Sequence, residues 1–273
     1  VKPFLLLSIR ADDPAADNEY EAFLRFLGRT DDELRRVRLD RRSLGTVDLQ
    51  DWSGILLGGG PFNYTEPADR KSAVQRRVEA DLSGLLDRVI AADFPFLGAC
   101  YGIGALGSHQ GAQVDGQYAE PVGHVEVTLT PDGRRDPLLR ELPASFGAFT
   151  GHKEAISELP AHATLLASSA TCPVQAFRVG ANVYATQFHP ELDVDGLCTR
   201  IDVYKHAGYF EPHEADDLKA RARRTDVTHP SAILGQFARR YGAGAPDGGA
   251  GDGPNGGPNG GRVAMSSPQR AGS

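Results

Sequence analysis

Residues 94–104 read FPFLGACYGIG, from Phe94 to Gly104, and this stretch decides the fold class. Phe94 to Ala99 has the length and apolar character of a buried β-strand, and it delivers Cys100 into Gly98-Ala99-Cys100-Tyr101-Gly102. Small residues on either side let the backbone turn sharply from strand into helix, so the segment reads as a nucleophile elbow with cysteine in the serine position. A helix starting at Tyr101 would aim its first N–H groups at the sulfur and favour the thiolate. Taken alone, a cysteine is more often a small buried hydrophobe, so the reading needs partners elsewhere in the chain.

Working outward, short apolar runs alternate with amphipathic stretches, the pattern of an α/β domain with a mainly parallel sheet. Phe4 to Ile9, Val37 to Leu39 and Gly54 to Leu57 read as strands, and Tyr20, Phe23, Leu24 and Leu27 recur at helical spacing. The clearest stripe is Val74, Val78, Leu82, Leu85, Leu86, Val89 and Ile90, a long amphipathic helix ahead of the elbow strand. Further strands are expected at Val125 to Leu129, Phe146 to Thr150, Leu165 to Ser168, Val174 to Val179 and Val183 to Gln187. The last two are joined by a hairpin-like Gly180-Ala181-Asn182 turn. Val194 to Tyr241 turns helical, with Tyr204, Leu218, Ile233, Leu234 and Phe237 as anchors. Residues 1–241 are expected to form one domain, including C-terminal helices over 194–241. The Gly- and Pro-rich 242–273 is expected to be a flexible tail.

Two more stretches carry chemistry. In VYATQFHPELD a strand ends at His189-Pro190-Glu191. An imidazole there suits the proton traffic of a cysteine nucleophile, and a carboxylate two residues on can orient it. H-x-E also resembles part of a metal facial triad, but no second histidine is placed to complete one, so no metal is expected. In SGILLGGGPFN a strand runs into Gly58-Gly59-Gly60-Pro61. Such a loop exposes backbone N–H groups as an oxyanion hole requires, with Tyr101 N–H as the second donor. A tight turn or a phosphate cradle has the same look, although the Gly-Lys-Ser/Thr ending of a nucleotide loop is missing.

Glycine loop, cysteine elbow and His-Pro-Glu, in that order, resemble the class I glutamine amidotransferase family, most of all the amidotransferase domain of GMP synthase. The likeness runs from about Phe4 to Asp193 through ILLGGGP, GACYG, GHKEAI and QFHPE. It implies a three-layer flavodoxin-like α/β fold with helices on both faces of the sheet. It also implies Cys100 as nucleophile, His189 as base and acid, Glu191 as orienting carboxylate, and Gly60 with Tyr101 as oxyanion donors. Gly59 and His152 are the substrate-side candidates. The implied reaction is release of ammonia from glutamine through a cysteine thioester, with no cofactor. One departure stands out: family elbows continue C-x-G-x-Q, and this chain has Gly104 in place of the glutamine. The SGGxDS-type loop of a synthetase domain does not follow Glu191, so a separate synthetase is the expected ammonia acceptor. The rival readings are a stand-alone hydrolase of γ-glutamyl amides or peptides and, in a different class, a non-catalytic binding or regulatory module.

Composition narrows the partners. The formal net charge is −7 and the 29 basic residues are scattered, which disfavours nucleic acid and anionic membranes. Cys100, Cys172 and Cys198 cannot all pair within one chain and form no C-x-x-C, as in a reducing compartment. VKPFLLLSIR lacks a signal-peptide pattern, and no run reaches the ~20 apolar residues of a membrane span. A cytoplasmic location is expected.

Overall fold

The computed structural model describes residues 2–242. In chain order the elements are β1 (Phe4–Ser8), α1 (Asp13–Leu27), β2 (Leu34–Arg38), β3 (Gly54–Leu57), α2 (Ala73–Ala91), β4 (Phe96–Ala99), α3 (Tyr101–His109) and β5 (Gln113–Asp115). There follow β6 (Glu120–Leu129), β7 (Ser145–His152), β8 (Ala155–Glu158), β9 (Thr164–Ser169), β10 (Ala176–Val179), β11 (Val183–Thr186), α4 (Val194–Val203), α5 (Ala215–Ala222) and α6 (Ala232–Gly242). The sheet of nine strands runs β2-β1-β3-β4-β11-β10-β9-β6-β7. The half from β2 to β11 is parallel, and beyond β11 every neighbour is antiparallel.

Strands β1, β3, β4 and β11 are buried along their whole length because helices cover both faces of this part of the sheet, whereas the edge strand β2, with Arg35, Arg36 and Arg38, is only partly buried. Along β1, Phe4 and Leu6 enter one core with Phe23 and Leu27 of α1 and Leu234 and Phe237 of α6. Leu5 and Leu7 enter the other with Val78, Leu82, Leu85 and Leu86 of α2 and Ile103 of α3. The two-residue alternation of a strand thus feeds two cores at once, giving three layers. A smaller third core joins Phe149 of β7 to Leu192, Leu197 and Ile201 beneath α5.

The structure departs from the sequence expectations in several places. The second strand, expected at Val37 to Leu39, runs Leu34–Arg38, its arginines having hidden the apolar pattern. The short strands β5 and β8 pair with each other in a separate ribbon; three and four residues are too few to show a period. Tyr204 is the C-terminal cap of α4, and its hydroxyl accepts from Arg10 rather than anchoring a helix to the sheet. Gly242, expected to open the tail, instead ends α6 and is buried; the rest of that expectation, 243–273, lies outside the described residues.

Strands β4 and β11, side by side in parallel register from Phe96 opposite Val183 to Ala99 opposite Thr186, bring the elbow and the His-Pro-Glu segment together. The backbone turns so tightly after β4 that a Cβ on Gly98 would sit 2.9 Å from Gly102 Cα and 3.1 Å from its carbonyl carbon. Both are backbone atoms and cannot swing aside. Gly98→Ala should therefore lower the unfolding free energy by about 1–3 kcal/mol, the usual cost of overpacking, read as a shift of the urea midpoint at unchanged slope.

Candidate active site

Cys100 stands between β4 and α3 with φ 52° and ψ −93°. A positive φ at a residue other than glycine stores strain of order 1–3 kcal/mol. Here the turn is held by the Cys100 N–H donating to Thr186 O at 2.8 Å and by Ile103 N–H donating to Cys100 O at 3.0 Å. The first bond ties the elbow to the end of β11, three residues before His189. Tyr101 opens α3, so its N–H is among those with no acceptor inside the helix.

His189 Nδ1 donates to Glu191 Oε1 at 2.8 Å, which fixes the ring and leaves Nε2 free for proton transfer. Both residues are buried. Burial by itself would lower the histidine pKa. The negative charges of Glu191 and Cys100 more than offset it and raise the value from 6.5 to about 9. Burial would likewise raise Glu191, but His189 and Arg200 hold its carboxyl well below the usual carboxylate range.

Behind this pair lies a chain of buried charges. Arg200 Nη2 of α4 donates to Glu191 Oε1 at 2.9 Å. Its Nη1 lies 3.1 Å from His189 Nδ1, a close approach of two donors rather than a second bond. Arg200 also reaches Glu19 of α1 at 3.7 Å. Glu19 in turn accepts from Arg10 Nε at 2.8 Å, and Arg10 Nη1 donates to Tyr204 OH at 3.0 Å. Sequence reasoning missed Arg10 and Glu19, nine residues apart, and Arg200, far from both in the chain. The one available signal was a cation closing the apolar run of β1.

Gly59 is packed against the site: a Cβ there would meet His189 Cε1 at 2.6 Å and lie 3.4 Å from Cys100 Cβ. Gly60 borders both cavities that open at Cys100. The cavity beside α3 is the more polar of the two. Asn63, Gln187, Lys153 and Glu154 line it, and the buried Gln187 Oε1 has no hydrogen-bond partner. Gly104 also faces this cavity, and Glu154 Oε1 lies 3.4 Å from where its Cβ would be. Glu154 accepts the Tyr64 N–H, the Thr65 N–H at 2.9 Å and the Thr65 hydroxyl at 2.7 Å, so it ties down the loop after the glycines.

His152 borders the polar cavity but makes no hydrogen bond to Cys100 or His189. Its Nε2 lies 2.8 Å from Glu120 Oε2 and its Nδ1 2.9 Å from Glu154 O. Glu120, His152 and Cys172 place potential ligand atoms within 4.8 Å of one another. The Glu120 oxygens, however, already take donors from Ser169, Thr171 and Gln175. That donor set is a hydrogen-bond hub joining β6, β7 and β9, and Cys172 Sγ turns away to Val174 O at 3.6 Å.

Residues 17–195 match the family described as Glutamine amidotransferase class-I. One subunit of a glutamine-hydrolyzing GMP synthase from Thermoplasma acidophilum is 29% identical over 165 residues, 59% of this chain and 76% of the relative. The glutamine-hydrolyzing GMP synthase of Edwardsiella ictaluri is 29% identical over 146 residues, 51% of this chain but 25% of the relative. Among solved structures, a glutamine amidotransferase from Thermotoga maritima superimposes with a TM-score of 0.69 at 21% identity, covering 88% of this chain and 99% of that one. At that identity the superposition speaks for the fold.

Two stability tests follow from the charge chain. Arg200→Met should cost about 3 kcal/mol, because one partner of a buried ion pair is removed and the other stays; urea unfolding measures it. The raised His189 pKa means its contribution is complete below about 6.5 and is lost as pH rises through about 9. The lowered Glu191 pKa works the other way, its contribution being present above 4.5 and lost in acid. Unfolding free energy should thus decline from pH 6.5 to 9, and His189→Gln should flatten that alkaline limb.

Proposed function

Because the chain belongs to the class I glutamine amidotransferase family, we propose that residues 1–241 form one catalytic domain releasing ammonia from glutamine with Cys100, His189 and Glu191. The observation that carries this reading is Cys100, held at φ 52° at the start of α3 beside a histidine whose other nitrogen is bonded to a buried carboxylate. A binding module has no use for that strain.

In this mechanism the His189 imidazolium stabilises the Cys100 thiolate, which attacks the side-chain amide carbon. The oxyanion is held by the N–H groups of Gly60 and Tyr101. His189 protonates the departing nitrogen, then takes a proton from the water that cleaves the thioester to glutamate. Asn63 and Lys153, at the cavity beside α3, suit the amino-acid head of the substrate. No cofactor is needed. His152 acts from behind, holding the β7 end of that cavity through Glu120 and Glu154.

Two of the relatives, from Thermoplasma acidophilum and Thermoplasma volcanium, are named as one subunit of a GMP synthase, which favours a separate synthetase as the ammonia acceptor. The free thiols of Cys100, Cys172 and Cys198 suit a reducing, cytoplasmic setting for that pair. Among the described residues no helix is long and apolar enough to cross a membrane. The second reading, a stand-alone hydrolase of γ-glutamyl amides, gains support from the loss of the family glutamine at Gly104, whose neighbourhood Glu154 occupies.

Ammonia and glutamate release from glutamine tests the assignment. Cys100→Ala should lower turnover by on the order of a thousandfold or more while leaving the circular dichroism spectrum unchanged, and Cys172→Ala and Cys198→Ala should stay active. A folded Cys100→Ala protein that still turns over would refute the mechanism. The wild-type kcat/KM should fall as pH rises through about 9, where His189 loses its proton.

A further inference from the structure

Two cavities meet at Cys100, and they differ in chemistry. One is the polar cavity beside α3. The other lies toward α4, with a volume of about 60 Å³, and Leu192, Leu197, Ile201, Tyr204, Tyr209 and Phe210 give it an apolar wall. His189 borders this second cavity, whereas the residue of the same segment that borders the polar one is Gln187. The acid of the reaction must face the nitrogen it protonates. When the acyl group occupies the polar cavity, the leaving nitrogen and anything bonded to it therefore point toward α4.

An aliphatic and aromatic wall of this extent offers contacts that ammonia is too small to make and an alkyl substituent on the nitrogen would fill. The wall is also held in place. Tyr204 is bonded to Arg10, its ring centroid is 6.3 Å from that of Tyr209, and Lys153 Nζ sits 4.5 Å from the Tyr209 ring. The arginines on this side, Arg10 and Arg200, are each already paired with a buried carboxylate, Glu19 and Glu191, and the Thr150 hydroxyl that also lines the cavity is uncharged. Neither arginine is left to capture an acid, and their pairing leaves no surplus negative charge to welcome an ammonium.

We infer that the α4-side cavity binds an uncharged, apolar substituent on the amide nitrogen, so that the substrate class is γ-glutamyl amides of hydrophobic primary amines in preference to glutamine. This rests on the Cys100 mechanism above. The Cys100 Sγ–carbonyl carbon bond forms first; as the tetrahedral intermediate collapses the C–N bond breaks, its electron pair stays on nitrogen, and His189 supplies the proton. The free amine leaves, and water then hydrolyses the thioester to glutamate.

The full chain is assayed with glutamine, γ-glutamyl-n-butylamide, γ-glutamyl-4-aminobutylamide and γ-glutamyl-4-aminobutyrate, following glutamate release, with Cys100→Ala as blank. Each buried methylene is worth roughly fourfold in affinity, so kcat/KM for the butylamide should exceed that for glutamine at least tenfold, and both charged analogues should fall well below it. Ile201→Asn, and Ile201→Val should the first fail to fold, should lower the butylamide-to-glutamine ratio, the asparagine far more than the valine. Cys100-dependent hydrolysis of glutamine with no gain for the butylamide, or a charged analogue as the best substrate, overturns this inference and leaves the amidotransferase reading standing. A folded chain that hydrolyses none of the four overturns both.

Discussion

A carboxylate without access to water must be paired, and two such carboxylates, Glu19 and Glu191, lie at the centre of this molecule. Taking each from water costs several kcal/mol, which only well-placed cations repay. Arg10 from the end of β1 and Arg200 from α4 fill that role, and their geometry leaves little freedom in where α1, α4 and the end of β11 sit. His189 takes its orientation from Glu191 of that chain, and its raised pKa from Glu191 together with Cys100. The site is therefore rigid because its charges are buried.

The two halves of the sheet serve different ends. Parallel strands β4 and β11 carry the elbow and the His-Pro-Glu segment to one edge, in register. The antiparallel half brings Gly151, His152 and Lys153 from the end of β7 to the polar cavity, backed by the Glu120 hub. The C-terminal helices close the opposite side, because α4 starts directly behind Glu191 with Asp193 as its N-terminal cap. Substrate discrimination on the amine side thus falls to a part of the chain that supplies none of the reacting groups.

The elbow, the glycine loop, the His-Pro-Glu segment and the alternating apolar runs were legible because each is a local device. A sharp turn needs Gly98, close approach to His189 needs Gly59, and a strand covered on both faces needs an unbroken apolar run such as Gly54 to Leu57. Those requirements are written in neighbouring residues, so one stretch of chain reveals them, and the family and the α/β class follow. Residues that act at a distance gave no such sign. Glu19 sits in an ordinary amphipathic helix and Arg200 in another, 181 positions apart, and nothing in either helix marks its charge as buried. Their pairing exists only once α1 and α4 pack side by side, and so does the apolar wall facing His189, because Coulomb energy and burial depend on separation in space and not along the chain.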